Sequence, residues 1–535
     1  MSNRDEEKIG LNDNNNESVP LNKPGIDEES PGSWQDWDKT NFLLSIFNLM
    51  NAILGSGILG LAYAVKSLGI LLYIVMLMGV AGMAFYAISL LLNMCQITGH
   101  RSYEQIAEAA YGAKGKLVAV VCISVHTLGA MVSFLFICKY ELPPVVKMFL
   151  KIAPCDDTWY TDGDTLTALV VLLIVGPLAA AKDISFLGYT SGFAMGCMVF
   201  CTVLIVLQSS GIPCPLEPDM PKGYWQFMLQ SAETECADTW GNLTKESYLD
   251  DKFDSDILAK YRSTVDFDLK NSSCSLAKPI AEFYHEVPEQ SCESEWISLT
   301  LKSAYAIPTM VFAFQCHASV LPIYAELKQP SKKKMQYIST ISIGLVFIMY
   351  LLASLFGYLT FKNSTGPELF VMYSGYMPED NLILFGRVMV LICVIFSAPL
   401  LHYPCRKALI VGIWGAERMP GGNDFKWGTW LGIMTGILTS VVLMVIYVPG
   451  IKVVFGLAGA TVATMLVIIM PAGFYYKLGP EPKDSLTKRI NFVVVIAGII
   501  FAVFSVGLLV YDMFSPKHEQ PACEIMLESL EATAH

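Results

Sequence analysis

The sequence predicts an all-α integral membrane protein of about eleven transmembrane helices, set out as two five-helix halves with one helix left over. Three observations carry this. Of 535 residues only 16% are charged and 53% are hydrophobic, with a mean hydropathy of +0.48, where a soluble domain carries about 25% charged residues. The apolar residues gather into runs long enough to cross a bilayer, which takes roughly 20 residues. The first and sixth runs hold matching places in the two halves, and both are interrupted by poor helix formers.

Taken in order, residues 1–41 are rich in Asn, Asp, Glu, Ser and Pro and are expected to form a disordered cytoplasmic tail. No apolar run precedes Phe42, so no cleavable signal is expected. The spans predicted by hydropathy are 42–65, 69–94, 116–137, 165–181, 186–207, 298–321, 338–361, 382–401, 427–447, 453–474 and 490–511. Residues 42–208 make the first repeat, 298–475 the second, 490–511 the extra helix and 512–535 an extracellular tail. The fourth span is short and contains Gly176-Pro177.

Lys and Arg set the orientation. One set of alternate short loops holds Arg101, Lys114, Lys182, Lys328, Lys332 to Lys334, Arg406, Lys407, Arg418 and Lys426, among others; the opposite loops hold little beyond Lys66, Lys147, Lys151 and Lys362. The basic side is read as cytoplasmic, which puts the N-terminus inside and the C-terminus outside. Ser331-Lys-Lys-Lys334 reads as the ordinary basic flank of a span, with contact to anionic membrane lipid as the alternative.

The segment 209–297 then lies outside. It holds 17 acidic residues against 7 basic ones and supplies much of the net charge of −12, a balance that excludes nucleic acid as a partner. Asn242 and Asn271 each begin an Asn-x-Ser/Thr sequon in it and are the expected glycosylation sites. Of its four cysteines, Cys214 and Cys292 sit at the two ends, and a bridge between them would close the loop at its base. No CxxC or Cys/His cluster has metal-site spacing, so no cofactor is expected. The absence of HExxH, Gly-x-Ser-x-Gly and paired mid-membrane acids argues against an enzyme.

The candidate site lies at the interruptions. Gly55-Ser56-Gly57 stands in mid-span, one turn after Asn48 and Asn51. A helix that comes apart there exposes backbone N–H and C=O groups, which persist in a membrane only where they line a cavity or bind something. The bland alternative is close helix packing through Ser56 and Gly60. In the sixth span Pro308 and Pro322 flank Gln315-Cys316-His317. His126 is the one ionisable group well inside a span, read either as a packing histidine or as a pH-sensitive site. Ser397 precedes Pro399 in the eighth span. Glu141 and Arg387 fall near span ends, where water or snorkelling would accommodate them.

The run Phe47 to Tyr63 resembles the first span of the sodium-coupled neutral amino acid transporters, the system A and system N carriers of the amino acid/auxin permease superfamily. Lys139-Tyr-Glu-Leu-Pro143, Phe186-Leu-Gly-Tyr-Thr-Ser191, Ile212-Pro-Cys-Pro215, Leu321-Pro-Ile-Tyr324, Leu355-Phe-Gly-Tyr-Leu-Thr360 and Val454-Phe-Gly456 match the same family in order. The resemblance implies a LeuT-like five-plus-five inverted-repeat fold and import of small neutral amino acids, of the glutamine and alanine class, with Na+ as coupling ion. It implies substrate contacts at Asn51, Gly55, Ser56, Gly57, Phe314, Cys316 and His317, and a sodium site at Asn51 and Ser397. Two departures stand out. Ser397 replaces a family threonine, and Ile395-Phe-Ser-Ala398 lacks one family hydroxyl. The alternatives are a proton-coupled or facilitative carrier of the same fold and an amino-acid-sensing receptor. A monomer in the plasma membrane is expected, with the lysosomal membrane as the other location.

Overall fold

A computed structural model describes residues 41–55, 57–150, 158–181, 187–209, 294–298, 303–362, 365–366, 368–376, 380–420, 422–448, 451–482 and 484–514. These are helical nearly throughout, with no β-strand among the described residues. The helices are α1 (Phe42–Leu54), α2 (Gly57–Leu68), α3 (Ile70–Thr98), α4 (Tyr103–Leu150), α5 (Gly163–Val170), α6 (Gly176–Ala179) and α7 (Leu187–Gln208). The second half holds α8 (Ser303–Ala313), α9 (His317–Glu326), α10 (Lys332–Phe361), α11 (Leu369–Tyr376), α12 (Asn381–Trp414), α13 (Trp427–Tyr447), α14 (Ile451–Ala458), α15 (Met470–Leu478) and α16 (Leu486–Phe514). π-helical turns join α5 to α6 and α14 to α15.

Nine helical segments among the described residues are long and apolar enough to cross a membrane, and α1 with α2, bent by 48°, makes a tenth. The fourth predicted span, Gly163–Ala179, is apolar but shorter than the rest. The expected eleven therefore resolve into ten and this short one. Its C-terminal end is finished by a side chain from elsewhere. Arg406 donates from Nη1 to the Ala179 carbonyl (2.7 Å) and from Nη2 to the Ala181 carbonyl (2.9 Å). Its guanidinium also stacks 3.4 Å over the Trp430 ring. Carbonyls at a helix end need such donors. Arg406, counted in the sequence among loop cations, is in fact buried.

The halves repeat one another's contacts. The first span packs on the fifth through α1 and α7, and the sixth packs on the tenth through α8, α14 and the π-turn after it. The third and eighth, α4 and α12, make the most extensive helix pairing among the described residues. The second half thus repeats the pairings of the first, as a five-plus-five repeat requires, and the all-helical membrane fold read from the sequence holds.

One expectation fails. Glu141 and Arg387 do not snorkel: both are buried, and Arg387 Nε stands 3.0 Å from Glu141 Oε2. The third span, α4, runs on through Pro143 and Pro144 to Leu150, past the hydropathy limit at 137, and so carries Glu141 inside. The disulfide expected of Cys214 and Cys292 and the glycosylation expected of Asn242 and Asn271 lie outside the described residues.

Candidate functional site

Both interruptions are real breaks. The helix α1 ends at Leu54, and Gly55 takes φ +34° and ψ −141°, a conformation that L side chains rarely adopt. A Cβ at Gly55 would also stand 2.7 Å from the Phe134 ring. The chain resumes as helix at Gly57, where a Cβ would fall 2.9 Å from both the Ala313 Cβ and the Tyr350 hydroxyl. Ser56, between them, lies outside the described residues.

In the sixth span α8 stops at Ala313 and α9 starts at His317. Phe314 and Cys316 are buried in the gap, and the Cys316 thiol is free. Gln315 caps the second half-helix: its Oε1 accepts the His317 backbone N–H at 2.7 Å and lies 3.3 Å from His317 Nδ1. A helix N-terminus leaves such donors without intrahelical partners. Gln315 Nε2 and His317 Nε2 are buried and bond nothing in the described protein. His126 sits on α4 with its ring 5.3 Å from that of Phe312 on α8, and its Nδ1 is likewise unbonded. Buried polar atoms are paired in the great majority of cases. Three orphans beside one helix break therefore mark a place where a polar solute can bond.

A second cluster lies just before the first break. Asn51, Ser191 and Ser397 come from α1, α7 and α12 and are all buried. Ser397 Oγ is 2.6 Å from Asn51 Oδ1 and 2.6 Å from the Cys393 carbonyl oxygen. Asn51 Nδ2 donates to Ser191 Oγ at 3.2 Å. A serine hydroxyl has one proton to give; when it goes to the Cys393 carbonyl, which stands inside α12 and is already served by the helix ladder, Asn51 Oδ1 is left short of a donor. Hard oxygen ligands short of a proton are what a small monovalent cation can complete. One turn earlier, both amide atoms of Asn48 are buried without a partner among the described residues.

The geometry thus brings Asn51 and Ser397 together and places Gly55 and Gly57 beside the break of Phe314, Cys316 and His317. Two participants escaped the sequence reading as site residues, Ser191 and Tyr350; Gln315 was read as part of the sixth-span break, without its role as the cap of α9. A tyrosine in mid-span, away from the interfacial belt where its ring is usual, was the available signal for Tyr350.

Among the described residues no group of His, Cys, Asp and Glu could hold a metal ion. The profile of the family described as Transmembrane amino acid transporter protein matches residues 38–220 and 276–514. Among curated relatives, sodium-coupled neutral amino acid transporter 4 of Rattus norvegicus is 38% identical over 91% of this chain and 86% of its own. Sodium-coupled neutral amino acid symporter 2 of Danio rerio is 34% identical over 91% of this chain and 84% of its own. A solved structure of a Na+-coupled sialic acid symporter is similar at TM-score 0.46 and 11% identity, over 88% of this chain and 91% of that one.

Proposed function

This chain belongs to the transmembrane amino acid transporter protein family, and from that premise we propose that it imports small neutral amino acids together with Na+. Relatives named as sodium-coupled neutral amino acid carriers, at 34–38% identity, favour this reading over a proton-coupled carrier or a sensor. The observation that carries it is the oxygen cluster of Asn51, Ser397 and Cys393, one proton short and adjoining a broken helix.

On this reading the amino acid's carboxylate meets the free N–H groups that open α2 at Gly57. The positive end of the half-helix dipole favours an anion there. The amine turns toward the carbonyl ends of α1 and α8. The side chain reaches the second break, where Gln315 Nε2 and His317 Nε2 need partners and where His126, Phe314 and Cys316 complete the wall. Na+ takes Asn51 Oδ1, Ser397 Oγ and the Cys393 carbonyl oxygen. The ion draws α1 to α12, and the amino acid draws α2 to α9. Since Asn51 and Gly55 stand four residues apart on one broken span, each solute favours the arrangement the other needs. The carrier acts as a monomer in the plasma membrane, with its N-terminus cytoplasmic and the loop 209–297 outside.

The test is uptake of labelled alanine or glutamine into vesicles containing the purified protein, with and without an inward Na+ gradient. Accumulation driven by the gradient is expected. Equal uptake under both conditions overturns sodium coupling, and no uptake at all overturns the carrier.

A further inference from the structure

The hydroxyl of Tyr350, on α10, stands 2.7 Å from the Ile53 carbonyl oxygen, 2.9 Å from that of Leu54 and 3.0 Å from that of Ala313. The first two oxygens end α1 and the third ends α8, so one phenol caps the C-termini of both broken helices. Those carbonyls have no partner within their own helices. The single phenolic proton serves one at a time and is shared among the three.

The surroundings hold the group in place. Tyr350 is fully buried. Its ring meets that of Phe314 edge-on, with centroids 5.3 Å apart at 90°. The Ser354 hydroxyl bonds its backbone carbonyl at 2.5 Å. Gly57 leaves room for it, since any side chain there would begin 2.9 Å from the hydroxyl. A buried phenol is costly unless its O–H is satisfied, and here the satisfaction lies wholly in the two breaks.

We propose that Tyr350 is a positioning residue whose hydroxyl ties the break of the first span to the break of the sixth, so that the sites for amino acid and cation are preassembled before either arrives. This rests on the carrier reading above. A site that is assembled only part of the time binds with an affinity reduced by that fraction. Loss of the tie therefore weakens both solutes by one common factor. Whichever solute binds first reassembles the site, so saturating one removes the penalty on the other.

The experiment compares wild type with Tyr350→Phe in vesicles matched for inserted protein. Half-saturation is measured for Na+ at low alanine, for alanine at low Na+, and for each with the other saturating. The expected result is a rise of about three- to tenfold for both solutes at low partner concentration, the worth of one hydrogen bond. Both factors should fall toward one at saturation, with the maximal rate near that of wild type. A factor confined to one solute, one that persists at saturation, or no change at all overturns the proposal. Should Tyr350→Phe fail to insert, Tyr350→Leu, which likewise lacks the hydroxyl, carries the same measurement. Absence of sodium-driven uptake in the wild type would count against the carrier reading instead, whatever the variants do.

Discussion

Ser397 and Asn51 are 346 residues apart in the chain, and the serine hydroxyl lies 2.6 Å from the asparagine side-chain oxygen. The same hydroxyl is 2.6 Å from the carbonyl of Cys393, one turn back on its own helix. Ser397→Ala removes an oxygen from the proposed cation shell and leaves Asn51 Oδ1 buried without a donor. One such bond is worth about 1 kcal/mol or somewhat more, so half-saturation for Na+ should rise roughly tenfold. Half-saturation for alanine at saturating Na+ should barely move. Ser397→Thr keeps the hydroxyl and should stay near wild type. A sodium dependence unmoved by Ser397→Ala would remove this residue from the ion's path.

Gly55 is required twice over, by its φ of +34° and by the 2.7 Å approach of the Phe134 ring to any added Cβ. Gly55→Ala should cost about 1–3 kcal/mol from the backbone alone, with the clash in addition. In the double variant Gly55→Ala, Phe134→Leu the steric part should be recovered and the backbone part kept. Thermal unfolding of the three purified proteins checks this. Full recovery in the double variant would mean that the φ value carries no cost.

Gln315 has two tasks at the sixth-span break, and they separate by substitution. Its Oε1 caps α9, and its Nε2, buried without a partner among the described residues, is the donor that the proposed site offers a solute. Gln315→Glu keeps the oxygen and loses the donor; Gln315→Ala loses both. The cap is worth about 1 kcal/mol, so the alanine variant should melt earlier than wild type. Both variants should raise half-saturation for glutamine, by about tenfold, with Na+ already saturating. A glutamine affinity indifferent to both changes would place the side-chain subsite elsewhere.

The first break was legible in the sequence because Gly55-Ser-Gly57 are poor helix formers in mid-span; the sixth-span break was bracketed by Pro308 and Pro322, but both prolines lie within α8 and α9 and the helix stops between them, at Phe314 to Cys316. Ser191 and Tyr350 were not legible. Hydroxyls in apolar spans usually bond a carbonyl of their own helix, as Thr202 does to Met198 and Ser339 to Met335. Spacing alone does not distinguish these from the few that reach across to another helix. The depth of Glu141 was hidden for a different reason. Lys139, Glu141 and two prolines end a hydropathy window, whereas the helix itself continues to Leu150 because the neighbouring α12 supplies Arg387 to meet the charge.

That ion pair has an uneven partner. Glu368 is also buried and within electrostatic reach of both Glu141 and Arg387. Two buried carboxyl groups therefore share one guanidinium. Breaking a buried pair typically costs about 3–5 kcal/mol, because the survivor is left uncompensated. Here the two single losses differ. Glu141→Leu leaves Arg387 with Glu368, whereas Arg387→Met leaves two carboxyl groups and no cation. The arginine variant should be the less stable of the two in a thermal melt, and the order reversed would mean that Glu368 takes no part.

Glu368 also gives this cluster a pH dependence whose sign can be worked out. It precedes α11, outside the membrane-spanning helices. Burial pushes its carboxyl well above the usual range, Glu141 pushes it further the same way, and Arg387 offsets part of the rise. A carboxyl raised in the folded state binds more protons there than in the unfolded chain, where it titrates near pH 4.3. Its contribution to stability is then complete below about pH 4.3 and is lost as the pH climbs through the raised value. Glu368→Gln imitates the protonated form at every pH. It should therefore raise the melting temperature at neutral and alkaline pH and change it little at acidic pH, which flattens the profile. A variant that melts in parallel with wild type across the range would show that Glu368 gains no proton on folding.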